Sequence, residues 1–210
     1  MKNPLISVIL FGGLISLPAA PSVSPWTPIF RGVDQATGTN NIGYTGRPLS
    51  VNAVRIDLQD PDVRLLVTPP ITNNYVPDQR ETFLQKPGEF LKAYRLQVAV
   101  NSVHFSPGGY NLPSGTPAYL HGLAISEGRL VSAQTSSIDA LSALLVTTNN
   151  QASFVYLNWP PASTAGIFTA IAGMYPVVSN GFNISFHYTN VMNDTIHQPQ
   201  PRTAFGLSED

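Results

Sequence analysis

Cysteine is absent from the 210 residues, which removes disulfides, thiolate nucleophiles and Cys-ligated zinc together. Charge is scarce as well. Asp, Glu, Lys and Arg make up 11% of the chain, against roughly 25% in ordinary soluble domains. The few charges nearly cancel, to a formal net charge of -1 with no basic block, so no nucleic-acid partner is expected. The four histidines, His104, His121, His187 and His197, lack HExxH or any other ligand spacing, so neither a metal nor another cofactor is expected. The GxSxG elbow is missing too, which argues against Ser-His-Asp chemistry. No internal repeat or domain-dividing linker is visible.

What is present is apolar and turn-forming. Hydrophobic residues are 43% of the chain, with 19 Pro and 16 Gly; Asn, Ser, Thr and Gln supply most of the polarity. That mixture suits a turn-rich β protein outside the cytoplasm and not a bundle of long helices. The first residues read as an address. Lys2 gives a positive start, and Leu5 to Leu17 is a run of 13 apolar or small residues, short for a membrane span. The small residues of "PAAPSVS" then offer cleavage after Ala20 or Ser22. Residues 1–22 are therefore read as a signal peptide, giving a secreted or periplasmic product with no membrane span after cleavage. The alternative is a buried N-terminal strand or helix.

Residues 23–48 are rich in Gly and Asn and read as mostly loop, with a short strand near Ile29. "LSVNAVRIDLQDPDVRLLVTPP" (Leu49 to Pro70) reads as a hairpin, with Asp60-Pro61-Asp62 as its turn and Val63 to Thr68 as its return strand. "TFLQKPGEFLKAY" has helical spacing at Phe83, Leu84, Phe90 and Leu91, which Pro87-Gly88 must break or kink. "LQVAVN" (Leu96 to Asn101) has the continuous apolar pattern of a strand buried on both faces. Hairpins are expected at Glu127-Gly128, Asn149-Asn150 and Asn180-Gly181. The expected class is α+β: a strand-rich sheet domain with one or two packed helices.

Few carboxylates are placed for catalysis. Asp60, Asp62 and Glu127 fall in turns, where they cap backbone; Asp57 alternates out of a strand; Glu81 and Glu89 lie around the broken helix. No pair matches a two-carboxylate glycosidase. Tyr94, Trp159 and Tyr175 could stack on a sugar or fill the core. Asn101, at the end of the apolar run, can both donate to and accept from a sugar hydroxyl or phosphate oxygen, or cap the strand end as an Asx turn. Arg202, at the head of "PRTAFGLSED", has the forked donors that match phosphate, or serves a salt bridge. Thr203 to Leu207 reads as a strand running into a Ser-Glu-Asp turn.

The order of these segments resembles the phosphodiester glycosidase family. "VNAVRIDLQDPDVRLLVTPP", "ETFLQ", "LQVAVNSVHFSP", "GLAISEGRLVS", "AIAGMYPVVSNG" and "PRTAFGLSED" follow one another in the family's order, over roughly Ile29 to Asp210. The family's Asn-Gly-Gly-Phe-Phe-like segment reads here Asn101-Ser102-Val103-His104-Phe105, which keeps the Asn and the final Phe but loses both glycines. Pro-Arg-Thr-Ala is intact at Pro201 to Ala204, while Met174-Tyr175 intrude after Gly173.

The resemblance implies an exported hydrolase that cleaves sugar-1-phosphodiesters at the anomeric C–O bond. It implies Arg202 on the phosphate, Asn101 on the sugar, and Phe105, Gly173 and Thr203 as further substrate contacts. It also implies a Gly-rich Asp segment that this sequence lacks, so residues 49–210 are read as an incomplete domain whose general acid and missing strand lie beyond it. The eroded Asn101 segment leaves a second expectation open: a non-catalytic polysaccharide-binding or exopolysaccharide-assembly protein. A purely structural β protein ranks third.

Overall fold

In the computed structural model the described residues are 22–40, 49–72, 79–108, 111–133, 142–156, 163–184 and 202–208. The apolar run at 5–17, Trp159, His187 and His197 lie outside them. Among the described residues, antiparallel sheets dominate and a single short helix is present, a strand-rich α+β protein. No described helix is long and apolar enough to cross a membrane. The chain divides into two compact units, one holding the described residues up to Val63 with 202–208, the other those from Arg64 to Ile184.

In the first unit, β1 (Ser22–Val23) and β2 (Thr27–Phe30) pair with one edge of β3 (Val33–Asn40), and β4 (Leu49–Ile56) pairs with the other along its whole length. Composition alone pointed to loop over most of β3. Its low β propensity is overridden by a register running from Val33↔Ile56 to Asn40↔Leu49. Gly32 makes the tight turn from β2 to β3 at φ +68°, where an added Cβ would meet Val63 Cγ2 at 2.9 Å. The Asp60 turn forms as expected, with Asp60 Oδ1 accepting from the Asp62 amide at 2.9 Å. The residues beyond it do not form the expected return strand: Val63 to Thr68 is coil, and the ladder of β4 is to β3.

In the second unit, residues 64–70 form no ladder. Instead three hydroxyls take their alternate carbonyls: Thr169 donates to Leu65, Ser126 to Val67 and Thr82 to Pro69, at 2.7, 2.7 and 2.8 Å. Alternate carbonyls of an extended chain point the same way, so side chains replace the missing strand along this edge. Pro69 and Pro70 have no N–H to offer a ladder in any case.

Pro87-Gly88 starts a helix where a break was expected. β5 (Thr82–Phe83) is a strand and α1 (Pro87–Tyr94) begins with Pro at its first turn, where a missing N–H costs nothing. Arg95, at φ 53°, ends the helix in the left-handed region, its amide donating to Leu91 O. The run Leu96 to Asn101, expected to be the most buried strand, is coil, with Val100 55% exposed. Its first amide, Leu96, is tied back to Leu91 O at 3.0 Å. The edges of β7 (Pro117–Leu120) are taken by β5 and by β6 (Phe105–Ser106).

β8 (Ala124–Ser126), β9 (Arg129–Ser132), β10 (Ser142–Thr147), β11 (Ala152–Tyr156) and β12 (Ile167–Gly173) form a five-stranded sheet in the order β11-β10-β12-β8-β9. β13 (Val178–Ser179) and β14 (Phe182–Asn183) make a separate hairpin. The three expected turns are present. Glu127-Gly128 and Asn180-Gly181 each have both residues at positive φ, as a two-residue hairpin loop of matching twist requires. Core residues lie on both faces of the larger sheet. Ile125 packs with Leu123, Ala143 and Ala170, and its neighbour Ala124 with Val67, Leu120 and Val131. Residues 202–208, expected to hold a strand from Thr203 to Leu207, form none.

Candidate functional site

The small sheet β5-β7-β6 gathers the polar residues most suited to chemistry. Thr82 opposite Ala118 and Ser106 opposite Tyr119 fix its register. Glu81, just before β5, donates its amide to Ala118 O at 2.8 Å. Its carboxylate Oε2 then accepts from the Leu120 amide at 2.7 Å. On the other side of β7, Ser106 Oγ lies 2.7 Å from His121 Nε2. The His121 amide donates to His104 O at 2.8 Å, which continues the β6–β7 pairing past the end of the strands.

Partial burial sets the electrostatics. Withdrawal of Glu81 from water raises its pKa above the ordinary 4.5, because a charged carboxylate loses hydration there. Hydrogen bonds from the Leu120 amide and the Ser132 hydroxyl pull the other way, as does the charge of His121, and burial outweighs them. Ser132 is itself 1% exposed. Arg80 completes the group. Its guanidinium lies 4.1 Å from the centre of the Tyr119 ring and donates to Ser106 O at 3.3 Å. The cluster thus combines a carboxyl able to hold a proton, a hydroxyl against an imidazole, and a cation on an aromatic face.

The residues singled out from the sequence fall in both units. Phe105 lies in β6 beside Ser106, 40% exposed. Asn101 is exposed in coil four residues before it, not at the end of a strand. Gly173 ends β12, exposed, its carbonyl accepting from Ser142 Oγ at 3.2 Å. Arg202 and Thr203 are exposed in the first unit, whereas Asn101, Phe105 and Gly173 belong to the second.

Glu81, Ser106 and His121 were not singled out. The sequence places Glu81 beside a broken helix, and the missing GxSxG elbow argues against Ser-His-Asp chemistry in general without pointing to this pair. Reading "FS" as a strand opposite "YL" would have found the pair, since that register leaves His121 one residue beyond the strand end, near Ser106. Against family models, curated proteins and solved structures, the chain has no match.

Proposed function

We propose that this chain is an exported glycosidase-type hydrolase of sugar-1-phosphodiesters, with Glu81 as its general acid. The observation that carries the reading is the half-buried Glu81 carboxyl, which burial biases toward the protonated form. Enzymes tune carboxyl groups upward by burial for this task. In the reaction, water adds at the anomeric carbon and the C1–O bond pair passes to the phosphate oxygen, which takes the Glu81 proton. The products are a free sugar and a phosphomonoester, and solvent restores the proton. The order of sequence segments supports the same class, with Asn101 orienting the sugar and Phe105 offering an apolar face. By the same resemblance, Arg202 with Thr203 contacts the phosphate and Gly173 allows close approach.

The test is release of methyl phosphate from a hexose 1-(methyl phosphate) diester, followed by phosphorus NMR. Glu81→Gln should lower kcat by about 10²–10⁴-fold, the usual worth of a general acid. Arg202→Lys should lower kcat/KM by roughly ten- to a hundredfold at unchanged melting temperature, in line with one charge-assisted contact. A folded wild-type protein that releases no phosphomonoester overturns the reading. Polysaccharide binding without catalysis has one observation of its own: Phe154 and Tyr156 lie two apart on the edge strand β11, 47% and 51% exposed. Their replacement by Ala would then abolish retention on a polysaccharide matrix in a chain without turnover.

A further inference from the structure

We propose that Ser106 is a nucleophile activated by His121, and that this pair hydrolyses carboxylic esters. This activity is independent of the sugar-phosphodiester reading. A serine hydroxyl is a weak nucleophile until a base within hydrogen-bond reach can take its proton. Ser106 Oγ and His121 Nε2 are 2.7 Å apart, inside that reach.

The surroundings hold the pair in place. Ser106 is fixed by the β6 register against Tyr119, and His121 by the hydrogen bond its amide donates to His104 O. Both side chains are half-buried, reachable by a small molecule and partly shielded from water. The charge of Glu81 interacts with that of His121; in its ionised form, the opposite of the form that serves as a general acid, Glu81 favours the imidazolium formed during attack. Arg80 places a cation on Ser106 itself through the bond to its carbonyl oxygen, and the exposed guanidinium retains further N–H donors for developing negative charge.

The chemistry closes with water as the second reactant. Ser106 Oγ adds to the ester carbonyl carbon while its proton passes to His121 Nε2, and the carbonyl π pair moves to oxygen. Collapse breaks the bond to the alcohol, which leaves with the proton from His121. Water then adds to the acyl-serine with His121 taking its proton, and a second collapse releases the carboxylic acid. The proton returns to Ser106 Oγ.

The test uses the folded full chain, with 4-nitrophenyl acetate as substrate and diisopropyl fluorophosphate as label. The fluorophosphate should give a single covalent phosphoryl group, mapped to Ser106 by peptide mass, and should abolish 4-nitrophenol release. Ser106→Ala and His121→Ala should each lower kcat by about a hundredfold or more, and the exposed control Ser153→Ala should leave it unchanged. Labelling elsewhere, or no labelling of the folded wild-type chain, overturns the proposal without reference to any variant's folding. A folded Ser106→Ala protein with activity within about tenfold of wild type overturns it as well. Loss of esterase activity in Ser106→Ala with retained phosphodiester turnover would separate the two chemistries.

Discussion

Arg31 with Asp60 and Asp62 in the first unit, and Glu81 with His121 and Ser106 in the second, are both small polar clusters beside a turn of β structure. They differ in their access to water. Arg31 Nε donates to Asp60 Oδ2 at 2.9 Å, and the same guanidinium meets Asp62, but the Arg31 side chain is 70% exposed. Solvent screens such a pair, and it fastens a turn at most weakly. Glu81 is drawn partly out of water, and its pKa moves as a result. The residue types overlap; desolvation separates a surface clasp from a group poised to exchange a proton.

The contrast extends to stability, where buried neutral groups should matter more than exposed charged ones. The largest effect is expected at Thr169, 1% exposed, whose hydroxyl serves Leu65 O. Thr169→Val keeps the shape and orphans that carbonyl, so denaturant unfolding should show a loss of about 1–3 kcal/mol. An intermediate effect is expected at Arg55, which pairs with Asp34 across β3 and β4 and lies 4.8 Å from the Trp26 ring centre. Arg55→Leu should cost about 1 kcal/mol in the same measurement. Arg31→Ala should be smallest, below about 1 kcal/mol and shrinking as salt is added. A reversed order would break the comparison.

The hairpins were legible because their turns are local. Glu127-Gly128, Asn149-Asn150 and Asn180-Gly181 each sit between β-prone runs, and nothing distant is needed to place them. The misread segments depend on distant neighbours. β3 is a strand because β4 lines its whole edge, and residues 64–70 lose their ladder to hydroxyls from Thr82, Ser126 and Thr169. Leu96 to Asn101 has the composition of a buried strand and no strand to join among the described residues. The candidate site was hidden in the same way. Glu81 and Leu120 are 39 residues apart, and Ser106 and His121 are 15 apart. Only the pairing of β5, β6 and β7 brings them together, and no short motif records it.

The most direct test of the account is the titration of Glu81 itself, followed by the carbon-13 shift of its side-chain carboxyl in the folded protein. The midpoint is expected above 4.5, since burial is the leading cause of the shift. A further rise is expected in His121→Ala, because the charge of His121 favours the carboxylate. Stability should follow. As pH rises from the unfolded value toward the folded one, the unfolded chain gives up this proton first, so wild type loses stability relative to Glu81→Gln across that window and is level with it again in slope above. A midpoint at or below 4.5 would show that the carboxyl is hydrated or fully compensated, and would contradict the assignment of Glu81 as the group that holds the catalytic proton.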